Sequence, residues 1–475
     1  MAFLVGGCVR DLLIGLEPKD FDVATDALPE QVKRLFRNCR LVGRRFRLAH
    51  VFFGREIIEV ATFRAASAPA QGEEPLPDAD PEDGEAPELD DPQLEAEALA
   101  APPADTDAGN LISGTDPSIA RAFATADPDV DTDVLSSERM FDETGRILRD
   151  NVYGTIDADV WRRDFTANSL YYNIADFSVW DYCGGVEDVR GRVLKLIGDP
   201  ETRFREDPVR MLRAARFEAK LDFTIDPATA EPISRLRDLL GGVPPARLFD
   251  ETLKLFLGGY GAASYQVLRR RGLLAALLPT VDAYLTAHPG SLVEKLLLQG
   301  LKNTDARVQA DKPVTPTFLF ALLLYGPIAG IIEAMPPERW HELGTILDAC
   351  DLAARQAQAN VAIPKRFTLG VREMFALQPR LEHPRGRRAL RVLEHPRFRA
   401  AYDLLLLRTQ FGLAPEDMAH WWTRIQEVSA EERGQMADSL SGHGAPRMEG
   451  APRGNSGGGG GGRRRRRRRR PAGPS

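Results

Sequence analysis

Gly6-Gly7-Cys8-Val9-Arg10-Asp11, followed by Asp20-Phe21-Asp22-Val23, is the stretch that decides how this chain is read. The paired glycines predict a turn opening a short helix from Val9 to about Gly15. Pro18 marks a further turn, and the residues from Asp20 predict a strand. Side chains on a strand alternate faces, so Asp20 and Asp22 are expected on one side, with Phe21 and Val23 in the core. Two carboxylates so placed can bridge divalent cations such as Mg²⁺, which take oxygen ligands together with substrate phosphates. Unhindered N–H groups at Gly6 and Gly7 form the complementary anion site. A Gly-Gly pair alone is commonly just a turn, and Asp-x-Asp alone a solvated edge. The signal lies in the two together, in this order.

Working outward, 475 residues exceed one core, and roughly two to four domains are expected. The 43% apolar content is that of a globular protein. No apolar run approaches the roughly 18 residues of a membrane span, and the start lacks the pattern of a secretory signal. No membrane partner and a cytoplasmic location are therefore expected. Cys8, Cys39, Cys183 and Cys350 are scattered without a Cys-x-x-Cys pair, which fits a reduced protein without a structural zinc.

The net charge of −7 conceals two appendages. Glu73 to Asp107 holds fourteen acids and no base, and Arg463 to Arg470 are eight consecutive arginines. Without the acidic stretch the charge becomes +7, and without the arginines as well it is −1. Such like-charge runs read as unstructured.

The first 66 residues read as α/β. Pro29–Phe36 predicts a helix with Val32, Leu35 and Phe36 on one face, and Leu48–Phe53 and Ile57–Phe63 a hairpin around Gly54-Arg55. Glu59 shares a face with Ile57 and Ala61, either as a strand-end charge or as a third metal-site carboxylate. His50 reads as packed. Residues from about 67 to 135, rich in Pro, Ala and acids, read as a disordered insertion. Phe177–Tyr182 and Val193–Ile197 read as strands with Gly184-Gly185 as a turn. From Asp199 the pattern is helical, with Asp207-Pro208 opening a helix as N-cap and first-turn proline. Further helices are expected near 229–241, 246–258, 262–276, 291–302, 316–333, 338–360, 386–409 and 415–428. After about Ala430 the chain turns polar, then Gly-rich, then arginine-only, a flexible tail.

Arg210, Arg213, Arg216 and Lys220 fall on one flank of the helix after Pro208, as a phosphate-facing stripe or a solvated face. Arg162-Arg163-Asp164 sets two arginines against an acid just before a stretch read as helical. Arg44-Arg45-Phe46-Arg47 is either an exposed turn or a basic loop near triphosphate or primer.

GGCVRD (6–11), DFDVATDA (20–27), EVATFR (59–64), RRDFTANSLYY (162–172) and EDPVRMLRAARF (206–217) together resemble the class II nucleotidyltransferases of the DNA polymerase β superfamily. That group contains CCA-adding enzymes and bacterial poly(A) polymerases. FRNCRLVGRRFRLAHV (36–51), LRDNVYGTIDADVWRRDF (148–165), the stretch 181–214, PPARLFDETLKL (244–255) and VLEHPRFRAA (392–401) look like the polymerase branch. The resemblance covers about 1–66 and 145–425. It departs in three places: the chain opens directly on its first strand where relatives carry a helix before it, the acidic insertion replaces a shorter basic-to-neutral loop, and the tail is pure arginine rather than mixed basic.

The resemblance implies an α+β fold: an N-terminal nucleotidyltransferase palm with a small mixed β-sheet, followed by an all-α neck, body and tail. The expected divisions are a palm at 1–198, a neck that binds nucleotide and RNA at 199–258, a body with the C-terminal RNA-binding domain at 259–430, and a basic tail at 431–475. It implies template-independent transfer of AMP from ATP to RNA 3′ ends with two Mg²⁺ ions (Mn²⁺ the alternative). Asp20 and Asp22 would ligate both ions, with Glu59 as third ligand and Asp164 as a further active-site acid. Gly6, Gly7 and Arg10 would hold the triphosphate, and Arg163, Asp207, Arg210 and Arg213 would frame the nucleotide. Arg45 and the tail, Arg463, Arg464 and Arg465 included, would contact RNA, and RNA-decay proteins are expected as further partners. A CCA-adding enzyme is the alternative, and an inactive RNA-binding protein a lower-ranked one.

Overall fold

The computed structural model describes residues 1–43, 47–54, 56–65, 140–141, 147–149 and 153–440. Arg45, the insertion at 67–135 and the tail arginines Arg463, Arg464 and Arg465 lie outside the described residues.

A seven-stranded mixed sheet runs in the order β3-β4-β5-β2-β1-β8-β9. Its strands are β1 (Ala2–Val5), β2 (Asp22–Thr25), β3 (Cys39–Val42), β4 (Leu48–Phe53), β5 (Glu56–Thr62), β8 (Leu170–Tyr172) and β9 (Val179–Asp181). β6 (Met140–Phe141) and β7 (Ile147–Arg149) form a separate ladder. Within the seven-stranded sheet only β2 and β5 run parallel, and their register sets Asp22 against Glu59. Alternation in β1 buries Phe3 and Val5 on one face, where they meet Ala24, Phe63, Tyr171 and Val160 of helix α3 (Ile156–Arg162). Each such buried side chain stabilises the fold by about 1.5–3 kcal/mol. α1 (Gly7–Leu13) follows β1, and α2 (Pro29–Leu35) lays Val32 on Ala49 and Val51.

Beyond β5 the chain passes through a constriction. Arg64 bridges Tyr153, and Gly154 N donates to Phe63 O at 3.0 Å. A Cβ on Gly154 would lie 2.6 Å from Ala65 Cα, so only glycine fits there without movement.

Several expectations are corrected. β2 starts at Asp22, because β1 ends at Val5, opposite Asp22, and Gly6 (φ 78°) turns the chain away. Asp20 thus precedes the strand, and Phe21, expected in the core, is 43% exposed. The RRDFTAN segment follows a helix, α3, instead of starting one. Thr166–Asn168 is a single 3₁₀ turn leading into β8. Gly184-Gly185 opens the helix α4 (Gly185–Arg190), whose first amides bind the Asp181 carboxylate at 2.9 Å. β10 (Val193–Leu194) pairs with β11 (Thr224–Ile225), which turn-rich local sequence hid.

From α5 (Pro200–Glu206) and α6 (Val209–Leu221) onward the described chain is almost wholly helical. Gly272 (φ 69°) breaks the helix expected at 262–276, and the one expected at 316–333 is two helices with a 41° bend. No single described helix is long and apolar enough to cross a membrane. The bent pair sits in a core that runs from Cys8 and Val9 of α1 through Met211 and Leu212 of α6 to Leu407.

Candidate active site

The acids come together because two strands distant in sequence pair in parallel. Asp22 on β2 faces Glu59 on β5, and His50 on β4 is next in the same row, its Nε2 3.4 Å from Glu59 Oε1. Desolvation by the surrounding protein, then the charges of Glu59 and Asp20, push the Asp22 carboxyl above its ordinary range; Arg163 pulls the other way. Crowded carboxylates with one opposing cation favour a divalent ion. Among the described residues, however, no group of three or more His, Cys, Asp or Glu closes into a preformed metal cage. Asp22 stands opposite Glu59 and feels the charge of Asp20, but the three expected ligands do not form a closed group.

Gly6 caps α1, and its N–H donates to Leu170 O at 3.1 Å. A Cβ on Gly6 would stand 3.8 Å from Arg163 Nη1, so this guanidinium borders the turn. Arg163 is held along one edge: Nε donates to Tyr171 OH (2.8 Å) and Asp159 Oδ2 (3.1 Å), and Nη2 pairs with Asp159 at 3.0 Å. It also lies over the Tyr171 ring, 5.0 Å from its centroid. Tyr171 OH donates to the same Asp159 oxygen at 2.6 Å. Burial would lower the Arg163 pKa, but Tyr171 and Asp159 outweigh it and raise it. Among the described residues Nη1 has no hydrogen-bond partner, and it faces Gly6.

Arg10 is placed differently from the expectation of a triphosphate ligand. It is 2% exposed, with Nε and Nη2 on Asp11 (2.8 and 2.6 Å) and Nη1 on Asn168. It braces the turn from beneath, because a guanidinium enclosed by Phe217 and the α1 backbone needs those partners.

Asp164 is not gathered with the other acids. Arg213 Nε donates to its Oδ2 at 2.7 Å, and Phe165 N to its Oδ1 at 2.8 Å. Burial would raise this carboxyl, but Arg213 and these hydrogen bonds overcome it and hold the pKa at about 2. The stripe on α6 is neither phosphate-facing nor solvated: Arg213 takes Asp164, Arg210 takes Glu206 (3.0 Å) and Arg203 O (2.7 Å), and Arg216 approaches Glu251 at 3.5 Å. Only Lys220 is exposed. Asp207 accepts from Val209 N at 3.3 Å, a capping contact, and receives Arg247 through two bonds of 2.8 and 2.6 Å. Arg203 reaches back to the carbonyls of Arg162 and Arg163, tying α5 to the Arg163 segment.

Sequence reasoning missed Asp159, Tyr171, Arg203 and Arg247. Asp159 stands four residues before Arg163 on α3, a readable helical pairing. Arg247 meets Asp207 across 40 residues, a contact without local signal.

Family models match the chain in three parts: a poly A polymerase head domain at 2–83 and 113–195, a "probable RNA and SrmB- binding site of polymerase A" at 222–285, and a polymerase A arginine-rich C-terminus at 339–471. A poly(A) polymerase I of Salmonella typhi is 44% identical over 94% of this chain and 83% of its own length. A CCA-adding enzyme of Bacillus subtilis is 30% identical over 56% of this chain and 49% of its own. A tRNA nucleotidyltransferase solved with a primer tRNA and an incoming ATP analogue shares the fold, with a TM-score of 0.51, 18% identity, and 90% and 96% of the two chains covered.

Proposed function

The chain belongs to the poly(A) polymerase family, and we propose that it extends RNA 3′ ends with AMP from ATP, without a template, where Asp22 faces Glu59. The observation that carries this reading is the Asp22–Glu59 register beside an Arg163 whose Nη1 faces the Gly6 turn.

Asp20, Asp22 and Glu59 would hold the metal, which we assign as two Mg²⁺ with Mn²⁺ as a substitute. The register of Asp22 against Glu59, with the Asp22 carboxyl raised by desolvation and then by the charges of Glu59 and Asp20, supports this. When bound, such ions activate the attacking hydroxyl and stabilise the leaving oxygens. The RNA 3′-oxygen forms a bond to the α-phosphorus of ATP as the bond to pyrophosphate breaks, and the hydroxyl proton passes to solvent water. Gly7 and Arg163 would hold the triphosphate, with Gly6, whose N–H is already given to Leu170 O, shaping the turn and Arg10 fixing it from below. Asp207 and Arg210 would read adenine, the carboxylate accepting from its amino group and the guanidinium donating to N1. Asp164 is assigned a positioning role through Arg213. The palm, neck, body and tail divisions at 198, 258 and 430, the RNA contacts of Arg45 and the tail, RNA-decay partners and a cytoplasmic location complete the reading.

Incubation with each NTP and a generic RNA primer, and separately with a tRNA lacking its 3′ end, tests it. A run of A on both is expected. Three added residues including C, followed by a stop, would assign the chain to CCA addition instead.

A further inference from the structure

Tyr171 stands in the same row of the sheet as the acids. Val5 on β1 is paired with Tyr171 of β8 on one side and with Asp22 of β2 on the other, and Asp22 is paired with Glu59 of β5. Directly paired residues point to one face, and neighbouring strands lie about 4.8 Å apart. Tyr171 is therefore two strand steps, about 10 Å, from Asp22, on the face where Val160 of α3 packs. Its ring belongs to the core, fully buried and set edge-on to Phe3 and Phe63 with centroids 6.1 and 6.3 Å away. A phenylalanine would fill that space equally well. What the tyrosine adds is one oxygen.

That oxygen is committed on both sides. It accepts from Arg163 Nε at 2.8 Å and donates to Asp159 Oδ2 at 2.6 Å. Asp159 is itself fixed, because its Oδ2 also takes Arg163 Nε and Nη2 and its Oδ1 takes the Arg64 N–H at 3.2 Å. Asp159 grips the guanidinium at a single oxygen, about which a planar group can still turn. Tyr171 supplies a second oxygen and a ring face 5.0 Å away, so position and plane are fixed together. The opposite edge, with Nη1, is thereby aimed at the Gly6-Gly7 turn. A guanidinium held in one plane can donate two parallel N–H bonds to phosphate oxygens.

We propose that Tyr171 is a positioning residue for the polyphosphate of the incoming nucleotide, acting through Arg163. Its hydroxyl sets the guanidinium plane in advance, so that the β- and γ-phosphates are met without reorganisation. The proposal rests on the reading of the palm as the ATP site. Tyr171 touches neither base nor ribose in this role, so its contribution is confined to ligands that carry those phosphates.

The test is titration calorimetry of the full chain with ATP, pyrophosphate and adenosine, with Mg²⁺ present and RNA absent. Tyr171→Phe should weaken ATP and pyrophosphate by about tenfold each, the loss of one hydrogen bond to a charged group, and adenosine by less than about twofold. In an Arg163→Ala background the same substitution should change neither phosphate ligand, since a residue acting through another has no effect once that partner is gone. The stoichiometry of adenosine binding counts the folded fraction, so the ratio of ATP to adenosine affinity stays readable if the variant melts below the parent. Equal losses for all three ligands would make the hydroxyl a support of the fold alone and overturn the proposal. Unchanged ATP affinity does the same, as does a Tyr171→Phe effect that persists without the Arg163 guanidinium. An Arg163→Ala variant that binds ATP and pyrophosphate like the parent would instead remove Arg163 from the triphosphate site, and the proposal with it.

Discussion

Asp22 is held at a cost to the fold, and that makes its substitution informative. Its carboxyl is raised by desolvation and by the charges of Glu59 and Asp20, so the ionised form is under repulsion whenever no cation is bound. Asp22→Asn should therefore abolish AMP incorporation, by about a thousandfold or more if charge at the reacting phosphate supplies about 4 kcal/mol. Its melting temperature without metal should equal or exceed the parent's. Near-parent turnover with Mg²⁺ would remove Asp22 from the site. Asp164 behaves oppositely. Its pKa of about 2, against an ordinary 3.8, means its pairing with Arg213 contributes fully above about pH 4 and is lost as pH falls through about 2. Denaturant unfolding should show Asp164→Asn less stable than the parent by about 2 kcal/mol at neutral pH, with the gap closing from pH 4 to 2. A gap that stayed constant with pH would mean the loss does not come from the ionised pair. Strand alternation gave Asp22 and Glu59 their faces but misplaced Asp20, which precedes β2, and the pairing that sets Asp22 against Glu59 joins strands distant in sequence. The inward turn of Arg10 stayed hidden, because it depends on Asn168, a residue 158 positions away.

At the scale of elements, α5, α6 and the helix Pro245–Phe256 form a frame joined by arginines. Arg247 holds both Asp207 oxygens, and Arg210 is fixed by Glu206 and Arg203 O. If Asp207 and Arg210 read adenine as proposed, these contacts keep the pair from re-forming for another base. Arg247→Ala should therefore erode the preference for ATP over the other NTPs about ten- to hundredfold, the loss of a charged hydrogen bond. The check is single-nucleotide incorporation with all four NTPs, and equal loss for each would make Arg247 merely structural. Long amphipathic helices were legible here, Pro245–Phe256 among them. Others were not: Lys365–Glu382 carries Pro379 in its last turn, where the freed carbonyl lies near the helix end, and α3 and α4 are too short to show a period.

For the whole molecule, the acidic stretch and the arginine run dominate the charge. Deleting residues beyond Ser456 should leave kcat at saturating primer intact, raise the primer KM and flatten the salt dependence of RNA binding, at about 0.7 per lost phosphate contact. Opposite charge makes Glu73–Asp107 a competitor for those arginines, so its removal should tighten RNA binding only when the arginine run is present. A double-deletion cycle decides: additive effects on affinity would make the acidic stretch an inert spacer. Gly154→Ala, which presses a methyl to 2.6 Å from Ala65 Cα, should destabilise the palm by about 1–3 kcal/mol in a melting experiment.

That constriction also defines how the gene can vary. Departure at Ala65 and return at Tyr153 flank one bridged point, Arg64 against Tyr153, which holds the two ends together. Closing a longer loop costs only about 0.6 kcal/mol per doubling. The palm thus offers a natural splice point. A foreign domain with adjacent termini, such as a fluorescent reporter or a tethering module, should ride there without entering the sheet, and lineages sharing this fold are free to diverge in length at that point.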